Sequence, residues 1–395
     1  MNAPTTQNQS TQGPALEVRP YQQRIISKTV RLLSEGLTRP DGKHRNVDAV
    51  LIESPTGSGK TVMGLWCAKQ LQEKFGYRVG WCAMRRNLLA QAAEENIARG
   101  FGVDMVTISM FDKNPPPVDL LVVDEAQHDA AASMASLHGA LKPKKIIGLS
   151  ATPFRADRLK LCFDQVVKDA NIQSLIRDGY LSEYRHFTLP SYTPASVAER
   201  FLAELDRWGR TLIFFYRLEE CRACCSILQA AGLRAEVVSA QSNREDQLAR
   251  FEAGELDVIL SMAILTEGFD CPSLETVFCR PSSKGPTIQM CGRVLRKHAD
   301  FPIKQIVQCV DTKHPITKTA AAKEQYLWSD EGWRSLKVNP HIEALSRRTL
   351  TMMASVNAEM PAFIKSRTAA QAAVLIEAED PEEDEDATTR EATAS

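Results

Sequence analysis

The chain has 395 residues, 44% of them hydrophobic and 25% charged, with a net charge of −1. That is too long for one ordinary domain and apolar enough for two full cores, which excludes a disordered or fibrous protein. No run of about 18 apolar residues is present to span a membrane, and the polar N-terminus has no apolar signal core, so a cytoplasmic location is expected.

The charge is unevenly spread. From Glu377 onward there are nine acidic residues against Arg390 alone, a balance of −8 that leaves +7 for the rest. A mildly basic body suits a polyanionic partner, while the tail reads as a solvated segment. The ten cysteines of so long a chain are expected as reduced thiols. Cys221, Cys224 and Cys225 have CxxC spacing, but no second Cys/His pair accompanies them, so they read as part of a helix.

In chain order, residues 1–15 are Thr/Gln/Asn/Pro-rich and expected to be disordered. Short apolar runs then alternate with helical-period segments, the pattern of parallel βα units. DAVLIES, RVGWCAM, DLLVVDE and KIIGLSAT read as strands buried on both faces; TVMGLWCAKQLQEKF and NLLAQAAEENIARG read as helices between them. A second series places strands at TLIFFY, RAEVVSA, LDVILSM, ETVFCR and KQIVQCVD, with helices at LEECRACCSILQAAG and REDQLARFEAG. The expected organisation is therefore α/β, with two lobes at 16–160 and 186–313 joined by a linker at 161–185. A helical extension at 314–376, carrying Trp328 and Trp333, and an acidic tail at 377–395 follow.

SPTGSGKT, Ser54 to Thr61, follows a strand and opens a helix, the context a phosphate-binding loop needs. In Pro55, Thr56, Gly57, Ser58 and Gly59 the glycines let the backbone curl so that N–H groups point at phosphate oxygens, aided by the helix N-terminus. Lys60 would bridge the β and γ phosphates of ATP, and the Thr61 hydroxyl would bind Mg²⁺. Ser54 stands where the strict pattern has Gly. Sixty-four residues after Lys60, the apolar strand LLVVDEAQH ends in Asp124 and Glu125. At the carboxyl edge of a parallel sheet, Asp124 would hold the Mg²⁺ shell and Glu125 would polarise the attacking water.

Further motifs follow in order. RPYQ (Arg19 to Gln22) resembles the adenine-reading Q-motif, MRRNLLAQ (Met84 to Gln91) resembles motif Ia, and TIS (Thr107 to Ser109) a nucleic-acid contact motif. GLSATPFR (Gly148 to Arg155) is similar to motif III, LTEGFD (Leu265 to Asp270) to motif V, and QMCGRVLR (Gln289 to Arg296) to motif VI. Over roughly residues 16 to 311 this series resembles the superfamily 2 DEAD/DEAH-like helicases, most closely the branch of type III restriction motor subunits and repair-type DNA translocases.

The resemblance implies two tandem RecA-like domains hydrolysing ATP in a shared cleft. Arg19 and Gln22 would bind the base. Arg293 and Arg296 would act as arginine fingers beside Gln289, with Gly268 and Asp270 touching nucleotide or transmitting closure. Gln127, Ser150 and Thr152 would couple the γ-phosphate state to lobe motion. Arg85, Arg86, Ser109, Arg155 and Thr266 would grip nucleic-acid phosphates, on DNA rather than RNA.

Two departures matter. Motif II reads D-E-A-Q instead of D-E-A-H, and the stretch from Asp270 to Gln289 has no room for a long strand-separating hairpin. The expected function is ATP-dependent translocation on, or remodelling of, nucleic acid, more securely than unwinding of long duplexes. One alternative is the motor subunit of a restriction or repair complex, which would need a nuclease partner because the chain carries no nuclease-like cluster. Another, of a different class, is an ATP-switched nucleic-acid-binding regulator without turnover.

Overall fold

A computed structural model describes residues 18–128, 132–151, 163–262, 271–329 and 332–336. The expectations for 1–15, 337–376 and the acidic tail lie outside these residues. So do Thr152, Arg155, Thr266, Gly268 and Asp270.

The first lobe opens with helix α1 (Pro20–Glu35), whose apolar residues Ile25, Ile26, Leu32 and Leu33 recur at helical spacing and are buried. A short antiparallel pair, β1 (Leu37–Thr38) and β2 (His44–Arg45), follows it. Strands β3 (Ala49–Glu53), β4 (Val79–Ala83), β5 (Met105–Ser109), β6 (Leu120–Asp124), β7 (Lys145–Ser150) and β8 (Gln165–Val167) form one parallel sheet in the order β5-β4-β6-β7-β3-β8. Every residue of β4 and β6 is buried, as covering helices on both faces require. Helices α2 (Lys60–Phe75), α3 (Arg86–Ala98) and α4 (Ala132–Leu141) lie between successive strands. Because the strands run the same way, β3, β4, β5, β6 and β7 all deliver their C-terminal residues to one edge.

Helix α5 (Ile172–Arg177) leads into the second sheet at β9 (Glu183–Leu189). The chain continues through α6 (Pro194–Ala203), α7 (Leu205–Trp208), β10 (Thr211–Phe214), α8 (Leu218–Ala230), β11 (Ala235–Val238), α9 (Arg244–Glu252) and β12 (Val258–Ser261). It then forms β13 (Thr276–Phe278), α10 (Lys284–Val294), β14 (Ile303–Cys309), β15 (Glu324–Ser329) and β16 (Gly332–Ser335). The sheet order is β11-β12-β10-β13-β14-β9-β15-β16, parallel except for the terminal hairpin β15–β16.

Two expectations need correction. Gln165–Val167, inside the expected linker, is strand β8 and pairs with β3 at the edge of the first sheet. Residues 314–336, expected to be helical, hold one turn of 3-10 helix (Ile316–Lys318) and then β15 and β16. The hairpin sets Trp328 opposite Trp333 in register, with ring centroids 5.0 Å apart, and Trp333 packs edge-on against Phe187 and Trp208. Aromatic burial across strands, not helical periodicity, decides this segment. Cys221, Cys224 and Cys225 face the core from α8, and burial pushes all three thiols up, Cys224 to about 12. They are packing residues.

Candidate nucleotide-binding cleft

The chain turns from β3 into α2 through Ser54–Gly59, where Gly57 (φ +81°) and Gly59 (φ +80°) take the left-handed conformation that side chains disfavour. Space is tight as well. A Cβ on Gly59 would stand 2.6 Å from Gln22 Nε2, and one on Gly57 3.1 Å from Leu181 Cδ2. Ser54 has a role of its own: its hydroxyl donates to Ser58 Oγ at 2.7 Å, bracing the loop internally, and its N–H bonds the Ser150 carbonyl at 2.9 Å. The residue standing in place of Gly thus ties loop to sheet.

The start of α1 clamps the loop from outside. Tyr21 OH (2.6 Å) and Gln22 Nε2 (2.8 Å) both donate to the Ser58 carbonyl, and Gln22 Oε1 accepts the Arg19 N–H at 3.1 Å. Gln22 therefore spends one bond from each end of its amide on holding the helix start to the loop.

A cavity of about 320 Å³ opens beside the loop. Arg19, Gln22, Thr56, Gly57, Gly59, Lys60, Thr61, Asp124 and Glu125 line it from the first lobe; Arg293 and Arg296 line it from the second. The structure thus brings together the phosphate loop, the acidic pair and both arginines. Pro55 and Ser58 belong to the loop without lining the cavity, and Gln289, half-buried on α10, does not line it.

Asp124 is buried, so loss of water pushes its carboxyl well above the usual carboxylate range; the charge of Glu125 adds to the shift and Lys60 opposes it. A divalent cation would relieve that strain, and a hydroxyl from Thr61 with a carboxylate from Asp124 is the hard oxygen donor set Mg²⁺ prefers. Glu125 sits at φ +52°, unusual for a residue with a side chain, and its N–H bonds Asp124 Oδ1 at 2.9 Å. From Glu125 a relay leads to β7: Gln127 Nε2 donates to Glu125 Oε2 at 2.8 Å, and Ser150 Oγ donates to Gln127 Oε1 at 2.6 Å. An amide does here what an imidazole would do less reliably, donating to a carboxylate and accepting from a hydroxyl at any pH near neutrality.

Across the cleft, Arg293 is only 5% exposed, and Arg296, half-buried, has its guanidinium pulled down to about 10 by loss of water. Gly292 sits so close to the loop that a Cβ there would lie 2.9 Å from Thr56 Cβ. The segment between α5 and β9 runs alongside: the Ser182 N–H bonds the Leu295 carbonyl at 2.8 Å and the Ser182 hydroxyl bonds that of Arg296 at 3.2 Å.

Of the expected nucleic-acid contacts, Arg85 precedes α3, Arg86 begins it exposed, and Ser109 ends β5, all at the carboxyl edge of the first sheet. Ser109 is engaged locally, its N–H on Asp112 Oδ2 (2.8 Å) and its Oγ accepting from the Phe111 N–H (3.3 Å). Sequence reasoning missed the cavity wall supplied by α3, namely Leu88, Gln91, Glu95 and Arg99, the last two forming an ion pair one turn apart. It also missed Gly292 and the Tyr180–Ser182 segment. Leu88 and Gln91 lay within one quoted motif and Gly292 within another, without a role of their own; Glu95, Arg99 and the Tyr180–Ser182 segment carried no local signal.

A phosphate loop and an acidic pair on one parallel sheet, facing arginines from a second, give the chain the tandem RecA-like fold seen in superfamily 2 helicases. Residues 15–106 match the family described as "Type III restriction enzyme, res subunit", and residues 195–298 match "Helicase conserved C-terminal domain". Within the class, the match over residues 15–106 makes the first lobe similar to the type III restriction-like branch.

It is 24% identical over 349 residues to the "Putative mitochondrial ATP-dependent helicase irc3" of Schizosaccharomyces pombe, covering 72% of this chain and 56% of that one. Among solved structures it is similar to the "ATP-dependent Type ISP restriction-modification enzyme LlaBIII bound to DNA" (TM-score 0.53, 16% identity, 76% of this chain and 28% of that one). It is also similar to the "DEAD-box helicase Mss116 bound to ssRNA and UDP-BeF" (TM-score 0.55, 18% identity, 79% and 75%). The chain spans 50 to 59% of the length of the first curated relatives it matches.

Proposed function

We propose that the chain is a nucleic-acid-dependent ATPase that uses hydrolysis in the cleft to translocate on, or remodel, DNA. The observation that carries this reading is the single cavity lined by Lys60, Thr61, Asp124 and Glu125 on one wall and by Arg293 and Arg296 on the other.

The loop N–H groups and Lys60 bind the triphosphate of ATP. Thr61 and Asp124 would hold Mg²⁺, which when bound supplies positive charge to the phosphate oxygens. Glu125 accepts the proton of the attacking water, its carboxylate held in place by Gln127. Arg293 and Arg296 meet the charge that develops as the γ-phosphoryl leaves. Because they come from the other lobe, turnover depends on lobe closure, and the Gln127–Ser150 relay passes the state of Glu125 to β7. Arg85, Arg86 and Ser109 grip backbone phosphates at the same sheet edge.

A DNA track is favoured over RNA by the type III restriction family match and the DNA-bound restriction enzyme among the structural neighbours. That enzyme is much longer than this chain, which favours a second reading: the motor part of a restriction or repair assembly whose nuclease is a separate partner. Among the described residues no helix is long and apolar enough to cross a membrane, and the nine described cysteines are buried free thiols, which fits a reducing compartment such as the cytoplasm.

The test is ATPase turnover with single-stranded, duplex and forked DNA and with RNA, side by side. DNA should stimulate hydrolysis many-fold, and Glu125→Gln should lower kcat by about 10² to 10⁴ while ATP still binds. Unstimulated turnover would sink the motor reading; undiminished turnover in Glu125→Gln would sink the assignment of the base.

A further inference from the structure

At its Arg19 end the cavity lining is backed by a residue from outside the first lobe's motifs, Tyr180. Arg19 lines the cavity, and its guanidinium carbon lies 5.0 Å from the centroid of the Tyr180 ring. Arg19 Nη1 donates to Tyr21 OH at 3.3 Å, and the Tyr21 ring meets Tyr180 edge-on with centroids 5.3 Å apart. The guanidinium is thus held from two sides, by a phenol oxygen and by an aromatic face. Tyr180 is fixed in turn: its N–H and that of Leu181 both bond the Leu175 carbonyl, at 2.7 and 3.0 Å, which locks the turn after α5.

We propose that Tyr180 is a positioning residue for the nucleotide base. Its ring backs the Arg19 guanidinium and presents it as a flat shelf on which the base of ATP stacks. The inference deepens the proposed ATP site and rests on that reading. A guanidinium on a long side chain is otherwise mobile, and stacking on an aromatic face is what orders it. Gln22, the other polar group at this end, is partly spent on the Arg19 N–H and the Ser58 carbonyl. The shelf therefore carries much of the hold on the base, while the phosphates are held elsewhere, by the loop and Lys60.

That separation supplies the test, done by calorimetry on the full chain with magnesium, using ATP and inorganic tripolyphosphate, which has no base. Tyr180→Leu should raise the Kd for ATP about three- to tenfold, the range of a partly desolvated cation–π contact, and leave the Kd for tripolyphosphate unchanged. Tyr180→Phe, which keeps the ring, should bind ATP like the wild type. Arg19→Lys, which keeps the charge but loses the plane, should show the same loss as Tyr180→Leu, and the double variant should be little worse than either.

Unchanged ATP binding in Tyr180→Leu would overturn the proposal. So would a parallel loss of tripolyphosphate, which marks a merely structural role, a defect in Tyr180→Phe, or multiplying losses in the double variant. If Tyr180→Leu does not fold, the Phe and Lys variants decide by the same readouts. A wild type that binds tripolyphosphate but not ATP would overturn the base shelf alone; one that binds neither would overturn the ATP site itself.

Discussion

Gly292→Ala tests whether the two lobes must meet at the phosphate loop. The added Cβ would stand 2.9 Å from Thr56 Cβ and 3.3 Å from Thr56 Oγ1, and both partners sit on framework that cannot yield. Gly292 is inside α10, and Thr56 is in a loop fixed by the Ser54–Ser58 bond and by Tyr21 and Gln22. Overpacking of this kind costs about 1 to 3 kcal/mol. Each lobe has its own sheet, so the cheapest relief is to part the lobes by a few tenths of an ångström or more rather than to unfold either. At 1.4 kcal/mol per tenfold, that strain should lower the closed population, and with it kcat, by roughly 5- to 150-fold.

DNA-stimulated ATPase assays at saturating ATP read kcat, and calorimetric melting reads stability, which should change little. Replacing Thr56 by Gly in the same chain removes the obstructing atoms and should restore a large part of the lost rate. A Gly292→Ala protein with full kcat would refute the reasoning, as would one whose melting point collapses in step with its activity.

Two further outcomes follow from the same cleft. Asp124 binds its proton more tightly folded than unfolded, so its charge weakens the fold increasingly as pH rises from about 4 toward neutrality. Asp124→Asn should therefore abolish ATPase yet raise metal-free stability at pH 7 by about 1 to 3 kcal/mol, an advantage that shrinks toward pH 4 in denaturant titrations; equal stability at both pH values would contradict it. Arg296→Lys, which keeps a charge but loses the planar fork, should lower kcat by about 10³ or more with nucleotide affinity changed far less; single-turnover rates and ATP binding measured together would expose the opposite pattern.

Much of the candidate site was legible because it is written locally. The loop Ser54–Thr61, the pair Asp124–Glu125 and the arginines 293 and 296 each depend on a few adjacent residues at a strand end or on one helix turn, and the structure gathers them in one cavity. Residues that work through distant neighbours were illegible. Gly292 stands in a quoted motif, but its need to lack a side chain shows only once Thr56 is placed against it, and Tyr180 is a loop tyrosine until Arg19 lies on its face. The β15–β16 hairpin was misread because its strands are short and half-buried, so neither the period of two nor that of 3.6 stands out. Its one local clue was Gly332, at φ +121°, which opens β16 next to Trp333.

The position of β9 bears on how the protein is made. It is the first strand of its sheet to leave the ribosome, yet it lies between β14 and β15; Glu183 is paired with Ile303, 120 residues further on, and with neither neighbour in the chain's own order. Phe187 meets Trp208 early but must wait for Tyr326 and Trp333 to complete its cover. During synthesis an unpaired strand with a partly covered aromatic ring persists until nearly the whole second half has emerged, the interval in which strand edges invite association with other chains. The hairpin that ends the described chain is what finally closes that interval.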